Sequence, residues 1–359
     1  MHFMKLAVQP GHANKFTFGE HSMKKRMGLV ALATAAMLSL SGNAMALTKR
    51  TFCVFDLIGA NGDTFNIMRD YKTAAVAWGV DVELKPYTDE KIASEDLKAG
   101  QCDAAVLTGI RGRQFNRYTG SMDSIGAIPS YDAMKTVIAV IASNSPSVNK
   151  HLVSGPYEVG GIVPLGAAFL FLKDREIDTV EELAGKSIAV LEYDSAQASM
   201  ASRVGMSPVM SDITNFSTRF NNGSVDICFA PVMGYSALEL YKGMAPDGGI
   251  QDYVLGQLSA QVILKHEKFP DGFGEKSRAY MFGQFDRAMK LIDNASNEIA
   301  ERWWIRIPKE GKLRYDEMMR DARIELTQKG VYSKDMMSLL LKVRCKQEPS
   351  RAECVNPQE

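Results

Sequence analysis

Thr108-Gly109-Ile110-Arg111-Gly112-Arg113 sets two guanidinium groups two residues apart in a Gly-rich turn. A guanidinium offers a planar fork of donors that matches a carboxylate or phosphate. Arg111 and Arg113 are therefore candidate anion clamps, against the plainer alternative of solvated surface arginines. In Glu192-Tyr193-Asp194-Ser195, Tyr193 can stack on a flat ligand or plug an interface. Tyr235 stands in the comparable turn Pro231-Val232-Met233-Gly234-Tyr235. Asn61 and Asp63 lie in Gly59-Ala60-Asn61-Gly62-Asp63, and Thr108 completes the polar set. That first Gly-rich turn lacks the third glycine of a dinucleotide fingerprint. Asp56, Glu192 and Asp194 are the cheapest acid/base candidates, but no G-x-S-x-G, H-E-x-x-H or Cys-His signature accompanies them. Binding chemistry is expected, without cofactor or metal and without catalysis.

The elements that must carry these turns are legible. TFCVFDLIG (51–59) reads as a strand, and Phe65, Met68, Tyr71, Ala75 and Trp78 recur at helical spacing, with Asp63 or Thr64 as N-cap and Gly79 as stop. VDVELKPY, a helix over 89–99 and the strand DAAVLTG complete a β-α-β-α-β unit. The pattern restarts at KSIAVLEYD (186–194), with helices at 195–205 and 214–222 and the strand VDICFAP. LKAGQCDAAVLTG (97–109) and FNNGSVDICFAP (220–231) are thus the ends of two matched units. Ligands of open α/β sheets sit beyond the carboxyl ends of such strands, where the four turns converge.

TVIAVIAS (136–143), LGAAFLFLKD (165–174) and YVLGQLSAQVILKHEKFP (253–270) read as extended apolar connections running to a second lobe and back. This predicts lobe I from 47–165 plus 258–359 and lobe II from 166–257. Beyond it, Tyr280, Met281, Phe285, Met289, Ile292, Ile299 and Trp303 mark one long helical stripe, followed by helices over 313–329 and 333–343. Trp303-Trp304 reads as packing, as do the 20 scattered methionines.

The N-terminus is a separate matter. From Met23, a basic start (Lys24, Lys25, Arg26), an apolar run from Gly28 to Leu40 and Ala44-Met45-Ala46 make a secretory signal over 23–46, with a mature chain from Leu47 and residues 1–22 as a mis-called extension. Without 1–46, the balance of 42 basic and 42 acidic residues becomes 37 against 41, and only His151 and His266 remain of five His. Such a balance gives no support to nucleic-acid binding. All five Cys fall in the mature part; Cys345 with Cys354 suits a local loop, Cys53 with Cys102 a bridge between neighbouring strands, and Cys228 is left over.

FLFLKDREIDTVEELAGKSIAV (169–190), RVGMSPVMSDITNFSTRFNNGSVDICFAP (203–231) and QVILKHEKFP before a helix ending near Trp303-Trp304 together resemble the DctP-type periplasmic solute-binding proteins of TRAP transporters, over roughly residues 50–340. Within that group the chain is most similar to the AdeT-like branch. The resemblance implies an α/β fold of the two-lobed periplasmic binding protein type (type II-like), each lobe a mainly parallel sheet flanked by helices, with long C-terminal helices. It implies a small-molecule ligand in the cleft, periplasmic location and membrane permease subunits as partners. The family's K-I-R-V strand carries an Arg that clamps the substrate carboxylate. Here the strand is Lys186-Ser187-Ile188-Ala189-Val190, so Ala189 stands at that position, and Arg111 or Arg113 would have to substitute. Two other readings stay open: a secreted enzyme on the same fold, or an envelope interaction protein with a filled cleft.

Overall fold

The computed structural model describes residues 47–359; the signal and extension expected over 1–46 lie outside the described residues. In chain order the strands are β1 (Thr48–Phe55), β2 (Val80–Tyr87), β3 (Ala104–Thr108), β4 (Val153–Ser154), β5 (Tyr157–Leu172), β6 (Ser187–Leu191), β7 (Ser207–Ser211), β8 (Ile227–Pro231), β9 (Gly249–Gln251), β10 (Gly256–Lys265) and β11 (Trp304–Ile305). The main path of the sheet runs β2-β1-β3-β10-β5-β8-β6-β7. β1 is parallel to β2 and β3 at one end, and β6 is parallel to β7 and β8 at the other. The two long strands β5 and β10 pair with each other antiparallel and join the two triplets. Each βαβ triplet wraps its helices over the sheet, which gives the two-lobed mixed α/β architecture.

The twice-written sequence has one structural job. Gly100 (φ 80°) and Gly223 (φ 83°) both adopt the left-handed conformation that ends a helix and turns the chain back. Three residues on, Asp103 accepts the Thr51 N–H at 2.9 Å and returns its own N–H to the Thr51 carbonyl at 2.8 Å. Asp226 accepts the Ser187 N–H at 2.8 Å and donates its own to the Ser187 carbonyl at 3.1 Å. In both units the Gly stops the helix and the Asp pins the third strand to the first. Both motifs are architectural.

Three sequence expectations are corrected. Residues 136–142 are helical, within Tyr131–Ala142, with Ser143 as C-cap, because Ser130 caps the Ala133 N–H well before the apolar run begins; Met134, Val137, Ile138 and Ile141 then fall on one buried face. The N-cap of the helix Asp63–Val76 is Gly62, and the Phe65 N–H is satisfied from a distance by the Asp56 carboxylate at 3.2 Å. The long stripe is not one helix: Tyr280 and Met281 lie in Phe273–Gly283, Phe285, Met289 and Ile292 in Phe285–Asn297, and Ile299 and Trp303 beyond both, with the break where Gly283 weakens helix propagation. The C-terminal helices run Lys309–Gln328 and Lys334–Gln347.

Cys53 lies against Cys102 and Cys345 against Cys354, with Cα separations of 5.9 and 5.5 Å in bonded pairs; Cys228 is a buried free thiol. Trp303 is buried with Ile292 and Ile299, and Trp304 meets the Phe169 ring edge-on at 5.3 Å. No described helix is long and apolar enough to cross a membrane.

Candidate functional site: an apolar cleft closed by an arginine–tyrosine contact

The carboxyl ends of β1, β3, β6 and β8 converge on a cavity of about 150 Å3. Its walls come from both ends of the sheet: Phe55 and Leu107 from one triplet, Ala189 and Phe229 from the other, with Leu165 and Leu258 from the connecting strands. Polar groups are few; Asp56, Asp63, Thr64, Thr108 and Tyr193 reach the wall. The placement follows from the topology, because strand ends in such sheets release their chains into loops above a common crevice.

Beside the cavity the two lobes touch through charged and aromatic groups. Arg111, after β3, lies over the Tyr193 ring with Cζ 3.3 Å from the centroid. Tyr193, after β6, donates its hydroxyl hydrogen to Glu90 at 3.0 Å. The Thr108 N–H donates to the other Glu90 oxygen at 2.6 Å, and Arg111 Nε stands 3.8 Å from the carboxylate. Burial pushes the Glu90 carboxyl up, opposed by the Arg111 charge and the donated hydrogen bonds. Burial likewise pushes the Tyr193 hydroxyl well up, so it remains a donor. Arg113 donates to Asp194 at 3.0 Å and to the Gly120 carbonyl at 3.1 Å. Lys91 and Glu192 form an exposed pair at 3.2 Å.

The sequence candidates divide. Asp63, Thr108 and Tyr193 line the cavity. Arg111 and Arg113 do not; both are held at the contact between the lobes. The Thr108 hydroxyl is committed to capping, accepting the Arg111 N–H at 3.2 Å. Asn61 is exposed and outside the wall, and Tyr235 is buried in the core with Tyr241 at 5.8 Å. Of the acid/base candidates, Asp56 accepts the Ile58 and Phe65 N–H groups, Asp194 caps the helix Ser195–Arg203, and Glu192 is paired at the surface. Among the described residues no group of three metal-ligating side chains forms.

Sequence reasoning missed Glu90, which at the first turn of a helix looks like an ordinary dipole-complementing acid. It also missed Asp123. Fully buried, Asp123 accepts the Ser259 N–H at 2.9 Å and hydroxyl at 2.6 Å, and burial pushes its carboxyl up to about 7. Asp123 and Asp194 border a second, largely apolar cavity of about 90 Å3, which shares Ile110, Phe229 and Leu258 with the first.

A mixed sheet of two βαβ triplets, bridged by two long strands and enclosing an apolar cleft, defines a two-lobed solute-binding fold. Solved structures with this fold include TRAP periplasmic solute binding proteins from Desulfovibrio salexigens with bound orotic acid (TM-score 0.69, 12% identity, covering 83% of this chain and 99% of that one) and from Haemophilus influenzae RdAW with bound L-gulonate (TM-score 0.67, 12% identity, 82% and 99%). At that identity the likeness is one of fold. The model of the family described as Solute-binding protein AdeT 1/2 matches residues 72–359, and the chain belongs to that family. Two relatives from Acinetobacter baumannii carry the names "Probable solute-binding protein AdeT1", 45% identical over 302 residues (84% of this chain, 98% of the relative), and "Probable solute-binding protein AdeT2", 29% identical over 239 residues (66% and 98%).

Proposed function

We propose that this chain is a periplasmic receptor that closes two lobes over a small molecule and presents the closed form to membrane subunits of a TRAP-type transporter. The observation that carries this reading is the cavity walled by both βαβ triplets at once. A ligand there gains contacts from both lobes only when they are closed, and that difference in affinity is what shifts a hinge equilibrium. Residues 47–165 with 258–359 make one lobe and 166–257 the other, with β5 and β10 as the crossings. The acid/base candidates Asp56, Asp194 and Glu192 support binding over catalysis, since each is already engaged by backbone N–H groups or an ion pair. The open cavity favours a receptor over a scaffold whose cleft is filled by side chains.

The test is native mass spectrometry of the full chain expressed with its own N-terminal segment and purified from the periplasm. A protein mass corresponding to cleavage before Leu47 supports export. An additional mass released on unfolding, together with a smaller radius of gyration when the solute is returned, supports the receptor. A radius indifferent to every co-purified or added solute would sink it.

A further inference from the structure

We infer that the solute is a compact apolar molecule bearing a cationic nitrogen, about one or two rings in size, and not a carboxylate. This rests on the receptor reading above and names the chemistry of the same cleft.

Size and polarity come from the walls. A cavity of about 150 Å3 lined by Leu, Ile and Phe matches the volume at which an engineered apolar cavity stays dry and takes up benzene. Leu107, Ile110, Leu165, Leu258 and Ala260 supply such a lining here. A flexible polar acid would strip its hydration on entry and recover few hydrogen bonds.

Charge comes from which ionisable groups reach the cavity. Asp56 and Asp63 do; no Lys, Arg or His does. Ala189, buried in the wall on the β6 side of the cleft, offers a methyl group and no donor there. Arg111 reaches the Tyr193 ring and Glu90 but not the cavity, and Arg113 is paired with Asp194. An entering carboxylate would therefore meet two acids in the wall, while the Arg111 guanidinium, with Nε and Nη2 unpartnered, stays outside the wall against the Tyr193 ring. An ammonium would meet those acids together with Phe55, Phe216 and Phe229, whose aromatic faces attract cations. Burial raises the Asp56 carboxyl against the pull of the Ile58 and Phe65 N–H groups, the condition of an acid that a bound cation would stabilise in its charged form.

The experiment titrates the full chain, purified from the periplasm and dialysed, with three probes of one size and shape: phenethylamine, phenethyl alcohol and phenylacetate. The expected order is amine, then alcohol by about tenfold, then phenylacetate without measurable binding. Asp63→Asn should narrow the advantage of the amine over the alcohol, and Ala189→Arg should give phenylacetate its first measurable affinity. If phenylacetate binds wild type as well as or better than the amine, the inference is overturned and the receptor reading stands. If all three probes are silent, the formula of the co-purified solute decides: an apolar amine supports the inference and an acid overturns it. Silence together with a bare native mass removes both the inference and the receptor.

Discussion

Tyr193 lies flat against the Arg111 guanidinium, 3.3 Å from Cζ to ring centroid, while its hydroxyl donates to Glu90 at 3.0 Å. The two residues follow β3 and β6, more than half a sheet apart, so one side chain holds the two lobes together through two interactions. A desolvated cation–π contact contributes about 2 kcal/mol, or roughly a thirtyfold bias toward the closed form. Tyr193→Ala should therefore enlarge the unliganded radius of gyration in small-angle scattering. Tyr193→Phe, keeping the stack but leaving Glu90 short of one donor, should fall between. An unliganded Tyr193→Ala protein as compact as wild type would show that this contact does not set the equilibrium.

Leu258 separates the two cavities together with Ile110 and Phe229. Leu258→Ala should merge them and cost about 2–4 kcal/mol in urea unfolding, because the transfer of a buried side chain is lost and a larger void remains. Leu258→Met, nearly volume-conserving, should cost less than about 1.5 kcal/mol. Binding sharpens the test: the Ala variant should accept a longer apolar probe that wild type excludes. An unaltered size limit would mean that the partition is held by Phe229 and Ile110 instead.

Much of the architecture can be read from local pattern, for a physical reason that Asp103 and Asp226 make plain. A helix stop followed three residues later by an acid that pins a neighbouring strand is a short-range signal, and it occurs in both units. The helix Tyr131–Ala142 escaped because its cap, Ser130, lies outside the apolar run that draws the eye. The cleft was harder. Tyr193, Asp63 and Thr108 stood out as polar residues in turns, but Phe55, Leu107, Ala189, Phe229 and Leu258 each look like ordinary strand interior. Only the topology brings their ends to one cavity. Arg111 looked like a ligand clamp because its sequence neighbourhood shows the turn and not Glu90 or Tyr193.

Asp123 gives stability a definite pH dependence. Its carboxyl is raised by burial to about 7, eased by the Ser259 hydrogen bonds and Arg113 and aggravated by Asp194, from an ordinary 3.8. A raised acid binds its proton more tightly folded than unfolded, so its contribution is fully present below about pH 4 and is lost as pH rises through about 7, on the order of a few kcal/mol. Asp123→Asn keeps the shape and cannot ionise. Its Tm should fall less than that of wild type between pH 5 and pH 8, by several degrees. Glu90 and Asp56, also raised, leave a residual slope in the same direction. Parallel Tm profiles for the two proteins would rule Asp123 out as the titrating group.

The two disulfides should fail differently when removed. Chain-entropy reasoning assigns about 4 kcal/mol to the Cys53–Cys102 bridge, with a separation of 49, and about 2.5 kcal/mol to Cys345–Cys354, with a separation of 9. The first ties β1 to the turn before β3, inside the core that the Asp103–Thr51 pair also secures. The second ties the C-terminal residues to the helix Lys334–Gln347, next to the buried Arg344–Glu353 pair at 2.7 Å. Cys53→Ser with Cys102→Ser should therefore lower the global denaturation midpoint for every probe. Cys345→Ser with Cys354→Ser should chiefly speed hydrogen exchange over residues 348–359, with a smaller change in midpoint. A global midpoint that fell equally in both pairs would show that the C-terminal segment unfolds with the sheet, as one cooperative unit.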